Sequence, residues 1–261
     1  EVRKQQRVDN SMISKEVFLF TDFDDTLSCQ ADLTEEYIKE LCQLLPREIA
    51  GGDGDWERAV RRGLSNSLNR YKERYNENAS LTGYREWIKE ERARALLDAC
   101  KVMNLSLKTS ETPSELASRL QFEALTACNA AFPEAYDTLQ RLFEMGVRIQ
   151  LASSQESDYL LAALIGAGIE SFTESKFGPD LVDCAKEGPE FYRRITSAIG
   201  ANPSDSIVLD DQLRCLLWAK EAGIENLIWL RNDTSNSAPE GIRTIRSLHE
   251  LPDIIGNMMN Q

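Results

Sequence analysis

Val17-Phe18-Leu19-Phe20 is a short, uninterrupted apolar run, and it ends abruptly in Thr21-Asp22-Phe23-Asp24-Asp25-Thr26. Such a run is the signature of a strand buried on both faces, as in a parallel sheet covered by helices. The carboxylates that follow constrain it further. Unpaired acids at the edge of a core are costly, so something positive is expected beside them.

The rest of the chain divides by rhythm. Residues 1–15 read as a flexible lead-in. From 32 to 130 the pattern is helical. Ile38, Leu41, Cys42 and Leu45 repeat on one helical face behind an expected Thr34 N-cap, with Glu35 and Glu36 in the first turn. A second helix carries Trp56, Val60, Leu64, Leu68, Tyr71 and Tyr75, and a third carries Tyr84, Trp87, Ile88, Ala95 and Leu96. The fourth opens on Thr112-Pro113-Ser114-Glu115, a capping box with proline at the first helical position. Polar, glycine-containing breaks such as Gly51-Gly52-Asp53-Gly54 separate the helices.

After Pro133, helices and strands alternate. Leu139, Leu142 and Phe143 mark a helix stopping at Gly146, then come strand 147–152, helix 159–165, a loop, and a helix near 189–199. Strand 207–209, helix 213–222 and strand 227–230 complete the series. This predicts an α/β fold: a Rossmann-like parallel sheet flanked by helices, built from 16–31 and 131–261, with an inserted all-helical cap domain over 32–130.

Composition limits the function. A net charge of -13 repels phosphate backbones and anionic lipid, so neither nucleic acid nor a membrane is the expected partner. A small anionic substrate remains compatible, because one metal ion reverses the local field. No stretch approaches the ~20 apolar residues of a membrane span, and Glu1 to Asn10 lacks the apolar segment of a signal peptide. The six cysteines are scattered, with no C-x-x-C pair, and read as free thiols in a reducing, cytoplasmic setting. The chain opens on Glu1 rather than Met, which leaves a processed start, and a reducing organelle interior, as the alternative. Monomer and dimer both suit the sequence.

Three expected strands end in polar groups: Asp22 and Asp24 after the first, Ser153-Ser154 after Leu151-Ala152, and Asp210-Asp211 after Leu209. In an open parallel sheet, ligands bind at the carboxyl ends of the strands, so the three tips can converge on one crevice. The counter-charge they need fits a hard divalent cation with oxygen ligands. Mg²⁺ is the expected choice where a substrate phosphate completes its octahedron.

These segments resemble the motifs of the haloacid dehalogenase (HAD) superfamily. Asp22-Phe23-Asp24-Asp25-Thr26-Leu27 is similar to the D-x-D-x-T-L motif of its phosphatases, and Leu151-Ala152-Ser153-Ser154 to the second motif. Lys186, ahead of Gly188-Pro189-Glu190-Phe191-Tyr192, resembles the lysine motif. Val208-Leu209-Asp210-Asp211, running on to Ala222-Gly223-Ile224, resembles the acidic fourth motif.

The resemblance implies a Mg²⁺-dependent phosphatase acting on a small phosphorylated metabolite. Asp22 would be the nucleophile that forms an aspartyl-phosphate. Asp24 would be the general acid and then the base, with its backbone carbonyl on the metal. Thr26 would brace the turn through its hydroxyl. Ser153 and Ser154, with nearby N–H groups, would bind phosphoryl oxygens. Lys186, rather than its rival Lys176, would offset charge on the phosphate and on Asp22. Asp211 would ligate the metal directly, with Asp210 behind it.

Family dehalogenases and phosphonatases depart at the Asp24 position. A sugar phosphomutase of the same fold, or a catalytically silent binding protein, remains as an alternative. His249 is expected to face solvent on a terminal helix. The aromatics of the insert are expected to pack between its helices; the alternative is that one or two line a substrate pocket. Arg61-Arg62 and the Arg92/Arg94 pair are expected on solvated helix faces, from which one arginine could reach a substrate anion.

Overall fold

A computed structural model describes residues 16–49, 54–77, 83–107, 110–231 and 238–259. The lead-in over 1–15, residues Gly51 to Asp53 of the glycine-containing break and the side chain of Tyr75 lie outside the described residues.

Strands β1 (Phe18–Thr21), β2 (Arg148–Ala152), β3 (Thr173–Phe177), β4 (Ser206–Asp210), β5 (Asn226–Leu230) and β6 (Ile242–Ile245) form one sheet in the order β3-β2-β1-β4-β5-β6. Every neighbouring pair is parallel. Alternation along β1 explains its apolar run. Leu19 enters one core with Leu139, Leu160 and Ile255, while Phe18 and Phe20 enter the other with Phe191, Ile195 and Leu216. Helices α5 (Ala135–Glu144), α6 (Ser157–Gly166) and α10 (Leu251–Met259) supply the first core, and α8 (Pro189–Ile199) and α9 (Leu213–Glu221) the second. The short α7 (Pro179–Val182) follows β3.

Strands β3 and β6 fall where the sequence offered no strand pattern. They are the two edges of the sheet, and their middle residues (Glu174, Ser175 and Lys176; Arg243 and Thr244) are not buried. An edge strand half covered by protein does not need a continuous apolar run. His249 is exposed, in a single 3₁₀ turn just ahead of α10. Among the described residues, no helix is long and apolar enough to cross a membrane.

Between β1 and α5 the chain forms α1 (Gln30–Glu48), α2 (Trp56–Glu77), α3 (Tyr84–Val102) and α4 (Pro113–Thr126). They enclose a core of their own, with Ile38, Leu45, Val60, Leu96 and Leu120 among its buried residues. The capping box of α4 forms as expected: Thr112 Oγ1 accepts from the Glu115 N–H at 3.2 Å, and Glu115 Oε2 accepts from the Thr112 N–H at 2.8 Å. Helix α1 differs. It starts at Gln30, whose N–H donates to Asp25 Oδ1 at 3.0 Å, so the first turn is capped from the acidic loop. Thr34 is therefore not an N-cap. It lies within the helix, and its hydroxyl donates back to the Gln30 carbonyl at 2.8 Å.

The two crossings between sheet and insert lie side by side. The Cys29 N–H donates to the Ala130 carbonyl at 2.9 Å, the Ser28 hydroxyl donates to the same carbonyl at 3.1 Å, and the Phe132 N–H donates to Leu27 at 2.9 Å. Against the sheet domain, α6 meets the end of α4 so closely that a Cβ on Gly166 would lie 2.2 Å from the Cys128 carbonyl oxygen.

Candidate active site

The order of the strands reverses between β1 and β4, since the chain runs outward through β2 and β3 before returning to β4. A crevice at such a switch point is where an open α/β sheet binds its ligand. Thr21 pairs with Leu209, and the Asp22 N–H donates to the Leu209 carbonyl at 2.9 Å. Register therefore sets Asp22 beside Asp210. One carboxylate oxygen each from Asp22, Asp210 and Asp211 falls within a 4.8 Å cluster.

Lys186 supplies the positive charge. Its ammonium lies 2.8 Å from Asp22 Oδ1 and 2.7 Å from Asp210 Oδ2, with only 3% of the side chain exposed. Lys176 is elsewhere, on β3, bonded to Glu170 Oε1 at 2.7 Å. Burial pushes the Asp22 carboxyl up. Lys186 opposes that rise, and Asp210 adds to it. Burial also disfavours the Lys186 charge, but Asp210 and Asp22 outweigh it and hold the ammonium well above the ordinary lysine range.

One lysine facing three acids leaves negative charge over. Oδ1 of Asp211 is buried with no hydrogen-bond partner, and burial, Asp210 and Asp25 together push that carboxyl up to about 6. The Asp211 backbone is fixed by the Trp229 indole N–H, which donates to its carbonyl at 2.8 Å. An all-oxygen donor set with an unsatisfied buried carboxylate fits a hard divalent cation.

Asp24 points into the same cleft but is held differently. The Gln155 amide donates to its Oδ2 at 2.8 Å, and Gln30 reaches the same oxygen at 3.5 Å, while Oδ1 is buried without a partner. Burial raises its pKa, the Gln155 bond lowers it, and the Asp25 charge raises it again. Burial thus exceeds the neighbouring carboxylates as the cause. Asp25 sits at a left-handed φ of 56°, which turns the loop and carries its side chain away to cap α1.

Ser153 is buried at the tip of β2, with its Oγ accepting from the Gln155 N–H at 3.1 Å; Ser154 is exposed on the cleft wall. The Ser153 N–H itself is used by the sheet, donating to the Phe177 carbonyl at 3.0 Å. The Thr26 hydroxyl is buried without a partner, so it does not brace the turn by a hydrogen bond as expected.

The cleft above these groups has a volume of about 450 Å³ and is roofed by the insert. Tyr71, Tyr84 and Trp87 line it as one aromatic cluster, with the Trp87 ring 5.9 Å from Tyr71 and 5.7 Å from Tyr84. Trp56 packs inside the insert. Arg61 is a surface residue paired with Glu35 and Glu57, and Arg94 pairs with Glu90. Arg92 is not on a solvated face. Its guanidinium pairs with Glu156, each side chain about one-tenth exposed, and so ties the insert to the segment after β2. Gln155 and Glu156 were not singled out from sequence, and the pairing of Arg92 with Glu156 was not foreseen. The one hint was polar residues continuing past Ser153-Ser154 at a strand tip.

A family model of haloacid dehalogenase-like hydrolases matches residues 18–223, well over half of the chain. The chain belongs to the haloacid dehalogenase-like hydrolase family.

Among HAD relatives, it is 23% identical over 124 residues to Pyrophosphatase PpaX of Halalkalibacterium halodurans, a match covering 46% of this chain and 58% of the relative. It is 33% identical over 90 residues to the Validoxylamine A 7'-phosphate phosphatase of Streptomyces hygroscopicus subsp. limoneus, covering 34% and 42% respectively. The matches thus span about half the length of these relatives. Two solved structures share the fold. The HAD hydrolase YfnB of Bacillus subtilis, bound to magnesium, has a TM-score of 0.59 at 16% identity and 93% and 99% coverage of the two chains. The L-2-haloacid dehalogenase of Xanthobacter autotrophicus has a TM-score of 0.58 at 14% identity with the same coverages. Both phosphatase and dehalogenase names therefore surround this HAD hydrolase.

Proposed function

We propose that the chain is a Mg²⁺-dependent phosphomonoester hydrolase, built from a core over 16–31 and 131–261 and a cap over 32–130, and acting on a small phosphorylated metabolite. The observation that carries this reading is Asp24: a second carboxylate in the cleft, buried, held by Gln155 and raised in pKa. A dehalogenase expels halide, which needs no proton, and so has no use for a general acid at this position. The phosphatase names of the two curated relatives support the same choice.

Asp22 would attack phosphorus through one carboxylate oxygen as the bond to the leaving oxygen breaks. Asp24 would give its proton to that oxygen. In the second half, Asp24 would take a proton from water, whose oxygen attacks the phosphorus of the aspartyl-phosphate and releases Asp22 as a carboxylate. Lys186 would steady Asp22 and offset charge on the phosphoryl oxygens, and Ser153, with Ser154 at the rim, would hold those oxygens. Asp22, Asp211 and the Asp24 carbonyl would hold Mg²⁺, with Asp210 behind them; when bound, the ion supplies charge neutralisation for the phosphoryl group. The Tyr71–Tyr84–Trp87 roof would keep bulk water out.

The test is hydrolysis of p-nitrophenyl phosphate with Mg²⁺, with EDTA, and by Asp22→Asn and Asp24→Asn, alongside halide release from 2-chloropropionate. The reading requires metal-dependent phosphate release that both variants lose, and no halide release. Halide release without phosphate release would sink it.

A further inference from the structure

The cleft does not end at the acids. A second cavity of about 250 Å³ continues from it into the insert, and Leu64, Ser67, Ile88, Gln155 and Glu156 line both. Its deeper walls are apolar, formed by residues such as Leu41, Val60, Ala95 and Leu120. Arg92 and Glu156 are the charged groups among the residues that line it, and they neutralise one another; the Arg92 guanidinium also donates to Ser118 Oγ at 3.2 Å. The chamber thus offers mainly apolar surface, with Tyr37, Ser67, Gln121, Gln155 and Tyr159 as its neutral polar side chains, and no free charge among the described residues.

Gln155 joins the chamber to the chemistry. Its amide holds the Asp24 carboxylate at 2.8 Å, and the same residue forms part of the wall shared by cleft and chamber. A phosphoryl group at Asp22 whose leaving oxygen faces Asp24 would direct the rest of the ester past Gln155. We infer that this chamber receives the leaving group of the substrate, and that this group is uncharged and apolar, a substituted ring or a medium-length alkyl chain. The inference rests on the phosphatase reading and deepens it.

Size and chemistry agree. An apolar cavity of about 150 Å³ suffices for benzene, so the chamber holds a ring with substituents or a chain of comparable bulk. A polyhydroxylated leaving group would set most of its hydroxyls against the aliphatic walls, with only Tyr37, Ser67, Gln121, Gln155 and Tyr159 as neutral polar side chains among the lining residues, and is disfavoured by that cost. Each methylene moved from water into such walls is worth about a threefold to fourfold gain in kcat/KM.

The experiment measures kcat/KM for ethyl, butyl, hexyl and octyl phosphate with Mg²⁺, in the wild type and in Ala95→Leu, which narrows the chamber. Leu64→Phe, at the shared wall, is the second variant should Ala95→Leu fail to fold. Binding of 1-hexanol, followed by calorimetry in the same proteins, reads the chamber without phosphate chemistry. We expect kcat/KM to climb by about threefold per methylene up to the chamber's length, the climb to flatten in the variant, and hexanol binding to weaken there at least tenfold. A series independent of chain length in an active enzyme overturns the chamber assignment and leaves the phosphatase standing. Hexanol bound by wild type with no ester turned over overturns the phosphatase reading and, with it, the leaving-group role.

Discussion

Lys186 and Asp22 are 164 residues apart in sequence, and their nearly buried side chains meet at 2.8 Å. The same ammonium reaches Asp210 at 2.7 Å, so one lysine separates two buried acids brought together by the pairing of β1 with β4. Lys186→Met would leave those acids facing one another uncompensated. Breaking a buried ion pair by removing one partner costs about 3–5 kcal/mol, so the metal-free variant should unfold at markedly lower urea. Turnover should fall by about 10²–10³. Saturating Mg²⁺ should restore stability more fully than activity. Equal denaturation midpoints for wild type and variant would show that the charges are not coupled.

Gln155 bonds one oxygen of Asp24, and that bond favours the ionised form. In Gln155→Leu the carboxyl should rise further, and the ionised Asp24 that the proposed mechanism uses to activate water should be scarcer at low pH. The acidic limb of the kcat–pH profile is therefore expected to move to higher pH, with kcat down about tenfold to a hundredfold. Gln155→Glu would not mend it, because a second carboxylate pushes Asp24 the same way. An unshifted acidic limb in Gln155→Leu would mean that the bond is structural only.

Asp211 titrates near 6 in the fold against an ordinary 3.8, chiefly through burial. Because the folded value is the higher one, its stabilising contribution is full below 3.8 and is lost as the pH rises through about 6. With EDTA present, thermal stability should decline over that window. Mg²⁺ needs the ionised carboxylate, so its half-saturating concentration should fall as the pH is raised towards 6, by about tenfold per unit for this one group. Scanning calorimetry against pH, with and without Mg²⁺, reads both effects. A Mg²⁺ affinity indifferent to pH would remove Asp211 from the ligand set.

Much of this was legible in the sequence because it is written in strand ends. Asp22, Ser153 and Asp210 each terminate an apolar run, and a central strand has to be apolar on both faces. The edge strands β3 and β6 carry Glu174, Lys176, Arg243 and Thr244 in their middles, so their pattern resembles a loop. Arg92 read as a solvated helix residue because its partner, Glu156, lies 64 positions away across the cleft. Thr34 looked like a cap because hydroxyls before acidic turns usually are. Asp25 took that role once its left-handed backbone aimed it at Gln30.

Gly166 is a packing glycine rather than a turn glycine. A Cβ there would stand 2.2 Å from the Cys128 carbonyl and 2.6 Å from that of Leu125, both backbone atoms that cannot swing aside. Gly166→Ala gains up to about 1 kcal/mol of helix propensity, but wedging α6 from α4 costs about 1–3 kcal/mol. The net expectation is a lower melting temperature. A raised one would show that the two helices can part freely.

The paired crossings at Ser28–Cys29 and Ala130–Phe132 have a consequence for the architecture as a whole. Because the chain leaves and re-enters the sheet domain within one hydrogen bond of the same place, the path of the sheet closes on itself whatever hangs from that point. The hundred residues between Cys29 and Ala130 behave topologically as a pendant. Beyond Leu33 and Leu125, which pack into the first sheet core, they can lengthen or shrink without rerouting a single strand, so the roof of the cleft and the path of the sheet are free to change independently.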